Sequence, residues 1–112
     1  MNIHISFDDL FEQARQYAAR VDASRVEGQP AVYEAVLTGE DGGTISAVIS
    51  DGRVTLYKGP YKGCLCSITT SAQTVADIMT GKLNPMTAIV TGRIKVRGDM
   101  SALMRLKDVR LL

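Results

Sequence analysis

Apolar side chains recur at Phe7, Leu10, Phe11, Ala14, Tyr17, Ala18 and Val21, the i, i+3, i+4, i+7 spacing of one helix face over four turns. Ser6 stands where an N-cap hydroxyl belongs, and Asp8 and Asp9 where the helix dipole favours carboxylates. Ile5 and Leu10 fit the two ends of a hydrophobic staple. The helix is expected to fade after Val21, and Gly28 and Pro30 end the segment.

The rhythm then changes to alternation. Ala31 to Thr38, Thr44 to Ser50 and Arg53 to Lys58 are rich in Val, Ile, Thr and Tyr, the composition of strands. Gly39-Glu40-Asp41-Gly42-Gly43 joins the first two, and Asp51-Gly52, a strong hairpin signal, joins the second and third. The three runs predict an antiparallel meander. Ile45, Ala47 and Ile49 face one way and Thr44, Ser46 and Ser50 the other, so one face is expected to be wet.

Beyond Gly59-Pro60 and Gly63, Cys64 to Thr69 reads as a fourth strand. Thr70 and Gln73 form a capping box for a short helix through Met79, with Val75, Ile78 and Met79 as its buried stripe. Asn84-Pro85 opens a two-turn helix that Gly92 closes. Arg93 to Arg97 alternates as a fifth strand, Ile94 and Val96 inward and the three bases outward. Gly98-Asp99 leads into a last helix bearing Met100, Leu103 and Met104. This order predicts a two-layer α+β fold: a five-stranded, mostly antiparallel sheet covered on one face by helices, its other face polar.

Length and composition narrow the picture. A chain of 112 residues, 46% hydrophobic and 22% charged, reads as one globular domain, residues 1–112, able to build a core without metals or disulfides. No apolar run approaches the roughly 18 residues of a membrane span, and Met1 to Leu10 lack the basic and apolar regions of a secretory signal. Cys64 and Cys66 would share one strand face with Cα atoms about 6.5–7 Å apart, so reduced thiols in the cytoplasm are the simpler expectation. Charge is lopsided: residues 1–51 hold nine acids and three bases, residues 52–112 three acids and ten bases. Two readings stand: an anionic partner for the basic half, or mutual neutralisation of two halves interleaved in one sheet.

The run from Val75 to Met100 resembles the sterol carrier protein type 2 family. Gly81-Lys82, Asn84-Pro85 and Gly92-Arg93-Ile94-Lys95-Val96-Arg97-Gly98-Asp99 match that family's pattern without a gap. The likeness is closest over residues 64–106, and residues 1–58 agree in element order. The resemblance implies an apolar tunnel between sheet and helices. It also implies a hydrophobic ligand: a fatty acid, acyl-CoA, sterol-like or isoprenoid lipid, or phospholipid. Some bacterial relatives instead assist enzymes of lipid or ubiquinone metabolism, or serve in dimerisation. The chain closes on Arg110-Leu111-Leu112 rather than a peroxisomal Ser-Lys-Leu type signal, which favours a bacterial or archaeal cytoplasmic version.

Met79, Met86, Met100 and Met104 fall in three adjacent helical segments. Unbranched, polarizable side chains suit either an adaptable ligand wall or the gaps of an ordinary core, and the resemblance favours the wall. The expected lipid-binding set is Met79, Met86, Ile89, Val90, Met100, Leu103 and Met104 as a helical roof, with Leu56 and Ile68 beneath. The short glycine-bounded helices fit a gate for a lipid as well as they fit plain connectors. Arg93, Lys95 and Arg97 offer contact to an anionic membrane surface or an enzyme, or form a solvated sheet face.

Catalysis finds no constellation. His4 is the single histidine, Asp8, Asp9 and Glu12 read as solvated dipole partners, and Cys64-x-Cys66 lacks further zinc ligands nearby. The Gly39–Gly43 stretch holds two acids and feeds a strand, unlike a phosphate loop. Tyr57 and Tyr61 alone accompany the bases of the second half, a poor match to nucleic acid. The expectation is a non-enzymatic lipid-binding or lipid-presenting domain without cofactor or metal; a dimerising or enzyme-docking accessory module is the alternative.

Overall fold

The computed structural model describes residues 6–39 and 42–105. His4, Ile5 with its expected staple onto Leu10, Glu40 and Asp41, and Arg110-Leu111-Leu112 lie outside the described residues.

Helix α1, Phe7–Ala19, begins at Ser6, whose hydroxyl accepts the Asp9 N–H at 3.1 Å. It ends with Arg20 as C-cap, short of Val21. Strands β1 (Ala31–Thr38), β2 (Gly43–Ser50) and β3 (Arg53–Lys58) form the expected meander. Asp51 and Gly52 both take positive φ, 54° and 76°, as the tight hairpin turn requires. Gln29 braces that turn. Its side-chain carbonyl accepts the Gly52 N–H at 2.9 Å while its amide donates to Ala23 and Val26 carbonyls at 2.7 and 2.8 Å.

Strand β4 (Cys64–Ser71) runs directly into α2 (Ala72–Met79), followed by α3 (Pro85–Val90), β5 (Lys95–Gly98) and α4 (Met100–Arg105). The sheet order is β3-β2-β1-β4-β5, with three antiparallel seams and one parallel seam, β1 against β4. The architecture is thus α+β with a mixed sheet.

Register puts Tyr33, Ala35 and Leu37 of β1 on the helix-covered face with Ile45, Ala47 and Ile49 of β2, Val54 and Leu56 of β3, and Cys66 and Ile68 of β4. α1 packs over β3 and α2. Lys58 holds α1 through an ion pair to Asp8 at 2.8 Å, and Gly43 admits the Phe7 ring, which a Cβ there would meet at 2.6 Å. The buried core divides into two clusters. One gathers Tyr33, Ile49, Cys66, Ala102 and Leu103; the other gathers Leu10, Leu37, Ile45 and Ala76.

Five local expectations are corrected. The N-cap of α2 is Ser71, whose hydroxyl accepts the Thr74 N–H at 3.1 Å, while Thr70 stays in β4 and donates its hydroxyl to the Arg93 carbonyl at 2.8 Å. Strand β5 starts at Lys95 rather than Arg93, because the Arg93 and Ile94 amides both cap α3 by donating to Ala88, at 2.9 and 3.1 Å. Arg93 therefore does not join Lys95 and Arg97 on the open face; its guanidinium reaches Asp77 of α2 at 3.4 Å and Thr74 at 3.3 Å. Cys64 and Cys66 do not share a face: Val32 pairs with Cys64 and Tyr33 with Cys66, so Leu65 bulges out between them. The open face carries Glu34, Ser67, Lys95 and Arg97 but also partly or fully buried Val32, Val36 and Val48, so it is less uniformly polar than alternation on β2 suggested.

Candidate functional site

Between the covered face and the helices lies a cavity of about 400 Å³. Its floor is the inward row of all four longer strands, with Ala35 and Ala47 near its middle. Two alanines on the central strands, ringed by Tyr33, Leu37, Ile45, Ile49 and Leu56, leave a hollow where larger side chains would close the gap. The roof comes from Ala14, Tyr17 and Ala18 of α1, from Val75, Ile78 and Met79 of α2, and from Pro85, Ile94 and Leu103. Both core clusters contribute to the wall, so the hollow separates them.

The polar atoms of the wall are already used. Tyr33 donates its hydroxyl to the Ala102 carbonyl at 2.8 Å, and Thr70 to Arg93 as described. Glu34 borders the cavity, but alternation turns its side chain to the open face, where it accepts the Ser67 hydroxyl at 3.0 Å. Burial pushes both the Cys66 thiol and the Tyr33 hydroxyl above their ordinary pKa, so neither offers a ready anion for nucleophilic chemistry. Among the described residues no group of three or more His, Cys, Asp or Glu could hold a metal ion. The arrangement suits burial of apolar surface.

The residues expected at this site divide. Leu56, Ile68, Met79 and Leu103 are on the wall. Met86, Ile89, Val90, Met100 and Met104 lie off it: Ile89 packs on the core cluster of Ala102 and Leu103, while Val90 is 82% exposed, Met100 48% and Met104 38%. α3 and α4 have six residues each, so each turns only one or two side chains fully inward, Ala88 in α3 and Ala102 and Leu103 in α4. The strand positions Ala35, Ala47, Ile45 and Ile49 carry much of the wall instead. Period-two alternation identifies that face, and the α1 stripe identifies Ala14, Tyr17 and Ala18. No helix among the described residues is long and apolar enough to cross a membrane.

Comparison with known proteins agrees with this fold. The sequence profile of the SCP-2 sterol transfer family matches residues 7–110. Bovine sterol carrier protein 2 (Bos taurus) is 32% identical over 63 residues, which is 56% of this chain but 12% of that protein. The crystal structure of sterol carrier protein 2 like 2 from Aedes aegypti superposes with a TM-score of 0.70 at 16% identity, covering 91% of this chain and 94% of that one. The ubiquinone synthesis protein UbiJ-SCP2 superposes with a TM-score of 0.62 at 16% identity, covering 92% and 90%.

Proposed function

This chain belongs to the SCP-2 sterol transfer family, and from that membership we propose that it holds a single hydrophobic ligand in the cavity between sheet and helices, for transfer or presentation and without catalysis. The observation that carries the reading is the apolar hollow of about 400 Å³ dividing the core. Protein interiors are packed nearly without voids, whereas ligand pockets typically span about 300–1,000 Å³. Each methylene moved from water into such a wall contributes about 0.8 kcal/mol, so affinity follows apolar area and polar specificity is loose. Leu56, Ile68, Met79 and Leu103 are the proposed contacts from the expected set, joined by Ala35, Ala47, Ile49 and Val75. Thiols held on opposite sheet faces fit a reducing compartment such as the cytoplasm.

The test is chemical. Protein purified from cells, denatured and extracted into organic solvent, is expected to release a lipid in near-stoichiometric amount by mass spectrometry. An empty extract together with no uptake of a fluorescent lipid would overturn the reading.

A second reading has one observation in its favour. Val90, 82% exposed, sits at the end of a helix whose neighbours face the core, and Met100 and Met104 are also outward. Such apolar knobs, with Lys95 and Arg97 exposed on the open sheet face, fit an accessory module that dimerises or docks on an enzyme, as the likeness to a ubiquinone synthesis protein suggests. On that reading, oligomers in solution survive complete delipidation.

A further inference from the structure

The turn that Gln29 braces is also a chemically labile one. Asp51 and Gly52 join β2 to β3, and Asp51 is exposed to water. No side chain on Gly52 shields its main-chain nitrogen, so that nitrogen can attack the neighbouring aspartate carboxyl. In that step the nitrogen bonds to the side-chain carbon of Asp51. Its proton leaves with the hydroxyl of the protonated carboxyl as water, and a five-membered succinimide results. Water then adds back to either imide carbonyl. Cleavage of one bond restores aspartate, and cleavage of the other leaves isoaspartate, with the main chain running through the side-chain carboxyl. Water lost is water regained, and no oxidant or reductant takes part.

Two hydrogen bonds oppose the first step. The Gly52 N–H donates to the Gln29 side-chain carbonyl at 2.9 Å, and the Gly52 carbonyl accepts the Ala23 N–H at 3.0 Å. Gln29 is itself held, its amide donating to the Ala23 and Val26 carbonyls at 2.7 and 2.8 Å. An amide oxygen is too weak a base to remove the Gly52 proton, so it keeps that proton on nitrogen. With the peptide groups on both sides of Gly52 pinned, the nitrogen cannot turn onto the carboxyl until the bonds open. Opening one ordinary hydrogen bond before attack slows the step about fivefold.

We infer that Gln29 is a chemical guard of this turn, and that Asp51 is the isoaspartate-forming site it suppresses. The inference is independent of what the cavity holds, but the cavity depends on it. Ile49 and Val54 pair across the hairpin beside the turn and both stand on the wall. Isoaspartate adds one carbon to the main chain between them, and a two-residue loop has no slack to absorb it.

The test incubates the full chain at pH 7 and locates isoaspartate by electron-transfer fragmentation, which separates Asp51 from the chain's other Asp-Gly pair, Asp41-Gly42. Isoaspartate at residue 51 is expected to form at least tenfold more slowly in the native chain than in guanidinium. Gln29→Ala, and Gln29→Met, which keeps the bulk of the side chain without its carbonyl, are expected to raise the native rate at least fivefold. Leu10→Ala loosens a fully buried core position but keeps the Gln29 contact, and well below its melting temperature it is expected to stay within twofold of the unmodified chain. A native rate equal to the unfolded one overturns the inference. So do Gln29 variants no faster than the unmodified chain, or Leu10→Ala as fast as they are.

Discussion

The Tyr33 hydroxyl and the Ala102 carbonyl meet at 2.8 Å, a buried bond from the middle strand of the sheet to α4. Asp99 secures the other end of that helix, accepting the Ala102 N–H on its carboxylate at 3.2 Å and donating its own N–H to Leu65 at 2.9 Å. Tyr33 thus lines the cavity and pins the helix that closes part of it. Tyr33→Phe keeps the ring on the wall but strands a buried carbonyl. Loss of about 1–3 kcal/mol in urea unfolding is expected, with chain-lipid affinity changed less than threefold.

Ala47 opposes Leu56 across β2 and β3 at the cavity floor. Extra methylenes usually strain a packed core, but here they enter empty space. Ala47→Leu is therefore expected to hold or raise the melting temperature while lowering affinity for a fluorescent lipid at least tenfold. Leu10, fully buried in the second core cluster and off the wall, supplies the contrast. Leu10→Ala is expected to cost about 2–5 kcal/mol of stability. Calorimetry and lipid titration on the two variants separate wall from core.

The bulge at Leu65 gives the two thiols different fates. Cys64 is exposed and Cys66 buried, and desolvation raises the pKa of each. A disulfide-exchange reagent is expected to titrate one thiol in native protein and two in urea, and Cys64→Ser to abolish the native reaction. The native rate should be slow at neutral pH and climb above the ordinary thiol value of 9.0. Two thiols reacting at equal speed in native protein would contradict the bulge.

Alkaline pH probes the buried side of the same region. Burial raises the pKa of Cys66 above 9.0 and of Tyr33 above 10.0, so both groups hold their protons more tightly folded than unfolded. Their contribution is complete below the ordinary values and is lost as pH rises through the folded ones. Urea midpoints are expected to be flat from these groups up to about pH 8 and to fall above pH 9. Cys66→Ala should lessen the earlier part of that fall, to which the raised Cys64 thiol also contributes.

What could be read from the chain was local. The α1 stripe, the Asp51-Gly52 turn and the Asn84 cap are each settled by a few adjacent residues, and each stands where the spacing predicts. The errors arise where a partner is distant in sequence or where a helix cap competes with alternation. Nothing in Cys64-Leu65-Cys66 announces the bulge, which is visible only in the register of β4 against β1, a strand some thirty residues earlier in the chain. The start of β5 moved because Ala88 takes two amides that alternation assigns to a strand. The family resemblance ties Met79, Met86, Met100 and Met104 to the ligand wall, but only Met79 of α2 lines it. The six-residue helices that carry the other three have too few inward positions to seat them, and the hollow is made instead by the small Ala35 and Ala47.

The parallel seam also bears on how the chain reaches this arrangement. β1, β2 and β3 are joined by short turns and can pair as soon as they are made, whereas Val36 finds Thr69 only after the intervening hairpin has formed. Docking of β4, and with it α2, β5 and α4, is therefore expected to come late in folding. Substitutions at Ile68 and Thr69 of β4 should accelerate unfolding and leave the refolding rate nearly untouched.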